Sequence, residues 1–163
     1  MRALVVYESQ YGNTEHVARA IADGMRADAS VDVVGVDDVP VPPLVDVDLL
    51  VVGGPTHVFS MSRPPTRADA AKDAPSATRT GIREWLAGAH GVDGLRVATF
   101  DTRQGHSRLT GSAAAAAARA ARTRGMAVIA TMDFFVTGRS GPLEDGEQER
   151  AAAWGRALVR GDG

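Results

Sequence analysis

Five short, mainly apolar runs alternate with stretches of helical spacing: Ala3 to Tyr7, Val31 to Val36, Asp48 to Val52, Arg96 to Phe100 and Met126 to Ile129. This alternation constrains the fold more than any other feature. Near-continuous apolar runs of this length are what parallel strands look like when helices cover both faces of their sheet. Strand and helix in turn then give an α/β doubly wound parallel sheet, in which ligands sit beyond the carboxyl ends of strands where the winding reverses. The loops after strands one, three and four are the candidates.

Between the runs, the spacing predicts a helix from about Thr14 to Arg26, with Val17, Ala18, Ile21, Ala22 and Met25 on its apolar face. Asp37 to Pro43 reads as a connection that its prolines keep from becoming helical. Gly53-Gly54-Pro55 is expected to end strand three. Thr56 to Arg79 is irregular, with a short helical piece around Arg67 to Lys72, and its length suggests function or mobility. Ile82, Trp85, Leu86 and Ala89 repeat as one helix face behind Thr80 as N-cap. Asp101 to Ser107 is expected as a polar loop after strand four. The Ala113 to Ala118 run should be helical, since Ala is the best helix former. Strand five is extended by Phe134 to Val136 after a break, and the last helix begins near Pro142 to Glu144. Its acids come early and its arginines late, matching the helix dipole. At 163 residues the chain is read as one domain, 1–163.

The turn Ser9-Gln10-Tyr11-Gly12-Asn13-Thr14 joins the first strand to the first helix. Free backbone N–H groups at the helix start, its dipole and a glycine that lets the chain curl make such a turn an anion site. Ser9, Asn13 and Thr14 add donors, so a phosphate fits without Lys or Arg in the turn. An ordinary capped turn is the alternative; the density of donors after the first strand favours phosphate.

Composition argues against other classes. With 18 basic and 20 acidic side chains the net charge is −2, which argues against a nucleic-acid surface and gives no reason for a membrane partner. There is no Cys, so thiol redox chemistry and thiolate zinc sites are absent and any redox function needs a bound cofactor. No apolar run reaches the roughly 18 residues of a membrane span, and the start of the chain does not read as a signal peptide. A soluble cytoplasmic protein is expected. Asp37-Asp38 and Glu144-Asp145 have no neighbouring His to suggest a metal.

The stretch Tyr7 to Glu15, with Gly12-Asn13-Thr14 opening the helix, resembles the FMN phosphate loop of the flavodoxin family. Gly53-Gly54-Pro55-Thr56-His57 and Phe100-Asp101-Thr102-Arg103 resemble its two flavin-ring loops, and Gly141-Pro142-Leu143 through Trp154-Gly155 resembles the C-terminal helix of actinobacterial flavodoxin-domain proteins. The resemblance implies a flavodoxin-like five-stranded sheet of order 2-1-3-4-5 and FMN as cofactor. It implies that Ser9, Gln10, Tyr11, Gly12, Asn13 and Thr14 hold the phosphate. Pro55, Thr56, His57 and Phe59 would flank one side of the isoalloxazine, with Asp101, Thr102, Arg103 and Gly105 forming the other wall. Electrons would pass singly to a redox partner protein, or as a hydride to a small acceptor.

Two features depart from electron-shuttling members of that family. Those proteins usually sandwich the ring between aromatics, whereas Trp85 and Trp154 fall at helical core spacing and only Phe59, His57 and His106 are placed to stack. Shuttles are also strongly acidic, and this chain is near neutral. A flavodoxin-fold binding or regulatory module with weak or lost FMN binding is therefore the alternative. Arg63, Arg67, Arg103 and Arg108 either converge on the flavin side or are separately solvated. A phosphorylated receiver domain would need an acidic pair after strand one and an Asp ending strand three; Glu8 alone and Gly53-Gly54 stand there. A dinucleotide site would need Gly-x-Gly-x-x-Gly, and only Gly12 is present.

Overall fold

Residues 1–39, 44–107, 109 and 111–161 are described by the computed structural model. Its elements are β1 Arg2–Tyr7, α1 Asn13–Met25, β2 Ser30–Gly35, β3 Leu49–His57, β4 Ser60–Met61, α2 Pro64–Ala70, α3 Ile82–Gly88, β5 Arg96–Gln104, α4 Ala113–Thr123, β6 Ala127–Val136 and α5 Glu147–Arg160. Pro40 to Pro43 of the expected connection, and Arg108, lie outside the described residues.

The long strands pair in parallel in the order β2-β1-β3-β5-β6, which is the expected 2-1-3-4-5 once the two-residue β4 is set aside. β4 folds back antiparallel on the end of β3, pairing Thr56 with Met61 and His57 with Ser60. Because β1 is flanked by β2 on one side and β3 on the other, the winding reverses between β1 and β3. The crevice there opens at the carboxyl ends of the strands.

Alternate residues of the strands bury opposite faces. Ala3, Val5, Leu49, Val51, Ala98 and Phe100 pack with α1 and α5 residues such as Ile21, Met25, Ala151 and Leu158. On the other face, Val6, Leu50, Val52 and Val97 pack with Trp85 and Leu86 of α3 and Ala113, Ala117 and Ala121 of α4. Trp85 and Trp154 are both core residues, as their spacing suggested. Helices α1 and α5 approach so closely that a Cβ on Gly155 would fall 2.1 Å from the Ile21 carbonyl oxygen.

Several boundaries differ from expectation, each for a tertiary reason. Gly53-Gly54-Pro55 does not end β3, which continues to His57. At Gly53 a Cβ would lie 2.2 Å from the Phe100 ring of the neighbouring strand, so glycine makes room for Phe100. Asp101, Thr102 and Arg103 are strand residues of β5 rather than loop, in register with Asp133, Phe134 and Phe135. β6 is one unbroken strand: Thr131 and Asp133, which looked like a break, are matched by the Thr99 hydroxyl at 3.1 Å and the Arg103 guanidinium at 2.7 Å. Its irregularity is a bulge opposite Val97 and Ala98. The short helix forms earlier than expected, at Pro64–Ala70, and the last begins later, at Glu147. Thr80 does not cap α3. Gly81 does, with its N–H donating to Glu84 at 2.9 Å, while the Thr80 N–H donates to Asp37 at 2.8 Å.

Candidate functional site

The turn after β1 is bound into its surroundings on every side. Gly12, with φ +91°, is the residue before α1 and donates its N–H to Ser9 Oγ at 3.1 Å. The left-handed backbone there is one that glycine adopts without strain. The Thr14 and Thr102 hydroxyls meet at 2.7 Å, tying the turn to β5. Ser76, beyond α2, donates its hydroxyl to the Ser9 and Gln10 carbonyls at 3.2 and 3.1 Å. From the far side, Gly141 sits so close to Asn13 that a Cβ on it would be 2.3 Å from Asn13 Oδ1. The first amides of α1, like those of any helix, have no partner within it.

Gln10 points inward. Its amide donates to Glu8 Oε1 at 3.0 Å and Thr78 Oγ1 at 2.9 Å, which leaves Gln10 Oε1 to accept from His57 Nε2 at 3.1 Å. Glu8 is buried, and also accepts from Ser62 Oγ at 2.5 Å and the Ile82 N–H at 3.0 Å. Burial raises its pKa above the usual carboxylate range against the pull of those bonds. For His57, burial is again the first cause and lowers the pKa, with Arg139 and Arg67 adding to it and a backbone hydrogen bond at Thr66 opposing. The neutral Nε2–H tautomer is the one the Gln10 carbonyl selects.

Asp101 lies beneath the crevice and is fully buried. Its Oδ2 accepts from Thr56 Oγ1 at 3.0 Å, Ser112 Oγ at 2.7 Å and the Ala114 N–H at 3.0 Å, joining the end of β3 to the start of α4. Burial first, then the neighbouring Asp133 carboxylate, push its pKa up to about 6, with the three bonds opposing. Arg103 is fixed by Asp133 and the Gly111 carbonyl, each at 2.7 Å.

These elements enclose a cavity of about 530 Å³ at the carboxyl ends of β1, β3 and β5. Of the expected residues, Ser9, Gln10, Tyr11, Asn13 and Thr14 line it from the turn, Pro55, Thr56 and His57 from β3, and Thr102 and Arg103 from β5. Gly12, Phe59, Asp101 and Gly105 are not on its lining. Phe59 is 65% exposed on the β3–β4 turn, where it and Val58 both have left-handed backbones with φ of 69° and 43°. His106 stacks on Phe135 at 3.7 Å and pairs with Glu144 at 2.9 Å, outside the cavity. The proposed convergence of arginines does not form among the described residues. Arg67 is buried against Ser62 and Glu84, Arg103 is tied to β6, and Arg63 is off the lining.

Sequence reasoning missed Val58, Thr66, Asp69, Gln104, Val136 and Arg139, which also face the cavity. The α2 residues were the most accessible to it, since that irregular segment was already suspected of function. Arg139 carries no local signal at all. Two rings, Tyr11 and His57, are on the lining, and no Phe or Trp among the described residues joins them. Among the described residues no cluster of three His, Cys, Asp or Glu could hold a metal, and no helix is long and apolar enough to cross a membrane.

The family model described as flavodoxin matches residues 5–79, which span the turn, β3 and α2. An archaeal flavodoxin structure superposes with a TM-score of 0.68 at 22% identity, covering 99% of this chain and 98% of the other. Oxidised flavodoxin 1 from Bacillus cereus gives 0.71 at 20% identity, with 98% of each chain covered. The two-electron reduced flavodoxin of Megasphaera elsdenii gives 0.63 at 21%, covering 97% and 98%. No curated protein matches the chain.

Proposed function

We propose that this chain is a member of the flavodoxin family, that it binds FMN in the cavity above β1, β3 and β5 and that it works as an electron-transfer flavoprotein. The observation that carries the reading is the turn from Ser9 to Thr14: a glycine-started helix N-terminus, fixed by Ser76 and Thr102, opening into a cavity large enough for a cofactor. Its residues fit a phosphate ester in kind, offering hydroxyl and amide donors, with the buried Tyr11 hydroxyl beside them. Flavin bound there supplies the redox chemistry, exchanging electrons with a partner protein or a small acceptor.

The protein's share is positioning. Ser9, Asn13, Thr14 and the turn's backbone hold the phosphate. Pro55, Thr56 and His57 on one side, with Thr102 and Arg103 on the other, orient the ring and keep water from it. A neutral His57 offers its outer face as a polar edge rather than a charge. Redox flavodoxins among the structural neighbours include one characterised as oxidised and one as two-electron reduced, which is consistent with this role for the fold.

One observation favours a second reading, a binding or regulatory module with weak FMN affinity: the cavity lining has no Phe or Trp to stack on the ring. The two separate in one titration. Purified protein that quenches FMN fluorescence at micromolar concentration, with a flavin absorption band and a rise in melting temperature, supports the electron-transfer reading. Absence of quenching and of any thermal shift refutes FMN binding altogether.

A further inference from the structure

The turn itself has no cation, yet the cavity has two arginines on its lining, and they differ in one respect. Arg103 is nearly buried and held by Asp133 and the Gly111 carbonyl. Arg139 is exposed, and its ion-pair partners among the described residues are distant, Asp69 at 3.6 Å and Asp73 at 3.9 Å on the segment that begins with α2. Asp69 has a nearer cation of its own, Lys72 at 3.0 Å. Exposed pairs at such separations hold a side chain weakly.

The segment carrying Arg139 is seated on the turn through the contact of Gly141 with Asn13. The guanidinium lies beside the Tyr11 hydroxyl, which is buried. Thus a loosely tethered cation stands against the one ring of the turn, at the edge of a site built for an anion.

We propose that Arg139 is the charge partner of the ligand's phosphate, leaving Asp69 and Asp73 to pair with it when FMN binds. This rests on the FMN reading. A guanidinium presents two parallel donors to phosphate oxygens, a stronger arrangement than its distant contacts with two exposed carboxylates. The two acids then act as competitors: they hold the arginine at the mouth of the site and reduce the affinity for phosphate.

The test is fluorescence titration of FMN and riboflavin, which lacks the phosphate, with the full chain and three variants. Arg139→Gln should lose roughly tenfold in FMN affinity and leave riboflavin affinity unchanged, with a flatter dependence of FMN binding on salt. Arg139→Lys should recover most of the loss. Asp69→Asn with Asp73→Asn should bind FMN more tightly, not less. Equal loss for FMN and riboflavin in Arg139→Gln, or no loss for either, overturns the proposal while FMN binding by the unaltered chain stands. Failure of the unaltered chain to bind FMN overturns both.

Discussion

Replacing Asp101 by Asn should change how stability depends on pH. The carboxyl is buried, Oδ2 accepts three hydrogen bonds and Oδ1 has no partner among the described residues. Its pKa rises from the ordinary 3.8 to about 6. A folded value above the unfolded one means that the folded state holds the proton more firmly. The associated stabilisation is complete below about pH 4 and is lost as pH rises through 6. At about 1.36 kcal/mol per pH unit, the gap amounts to roughly 3 kcal/mol. Asn is a neutral isostere that keeps an acceptor for Thr56 and Ala114. Urea denaturation of both proteins between pH 4 and pH 7 should therefore show Asp101→Asn gaining about 3 kcal/mol on the unaltered chain across that window. Glu8, also raised, contributes with the same sign, whereas Asp37 and Glu84, lowered by their hydrogen bonds, contribute stability that is lost on acidification. All three are present in both proteins and cancel in the difference. Parallel profiles would refute the assignment of a buried, charge-averse carboxyl at Asp101.

Two further substitutions probe the strands that carry the site. Gly53→Ala drives a methyl into the fully buried Phe100 ring and should cost about 2–3 kcal/mol in urea unfolding; in a Phe100→Ala background, where the ring is gone, the same methyl should cost little. Thr14→Val leaves the buried Thr102 hydroxyl without its 2.7 Å partner and should cost about 1–3 kcal/mol, while Thr14→Val with Thr102→Val should recover much of that stability. FMN affinity, measured by titration, should stay low in the double variant, since the donor at Thr14 is still missing.

The strand order and both core faces were legible because burial on two faces leaves its mark in every apolar run. Val51 and Val52 point to opposite layers, and both are buried. Strand ends were not legible. Gly53-Gly54-Pro55 has the local chemistry of a stop, and only the Phe100 ring on the adjacent strand shows why glycine is kept inside β3. Asp101 to Arg103 look like loop residues for the same reason: their polar groups find partners from β3, β6 and the starts of α1 and α4, at separations in sequence of up to 88 residues. At the site, the turn could be read because its donors are contiguous. Arg139 could not, because its relation to Tyr11 exists only once the segment after β6 folds over the turn.

The contacts also grade the cavity from one end to the other. At the turn, Ser9, Gly12, Thr14, Ser76 and Thr102 form a hydrogen-bonded frame that is in place before any ligand arrives. At the β3–β4 turn, Val58 and Phe59 are exposed at 73% and 65% on left-handed backbones that side chains of their kind disfavour. Ordering Val58, the one of the two on the cavity lining, against a ring costs conformational entropy, whereas a preformed frame has little left to lose on binding. Affinity for FMN over riboflavin in this chain should accordingly come from the phosphate end, and the ring end should govern how readily the bound flavin is reached by whatever exchanges electrons with it.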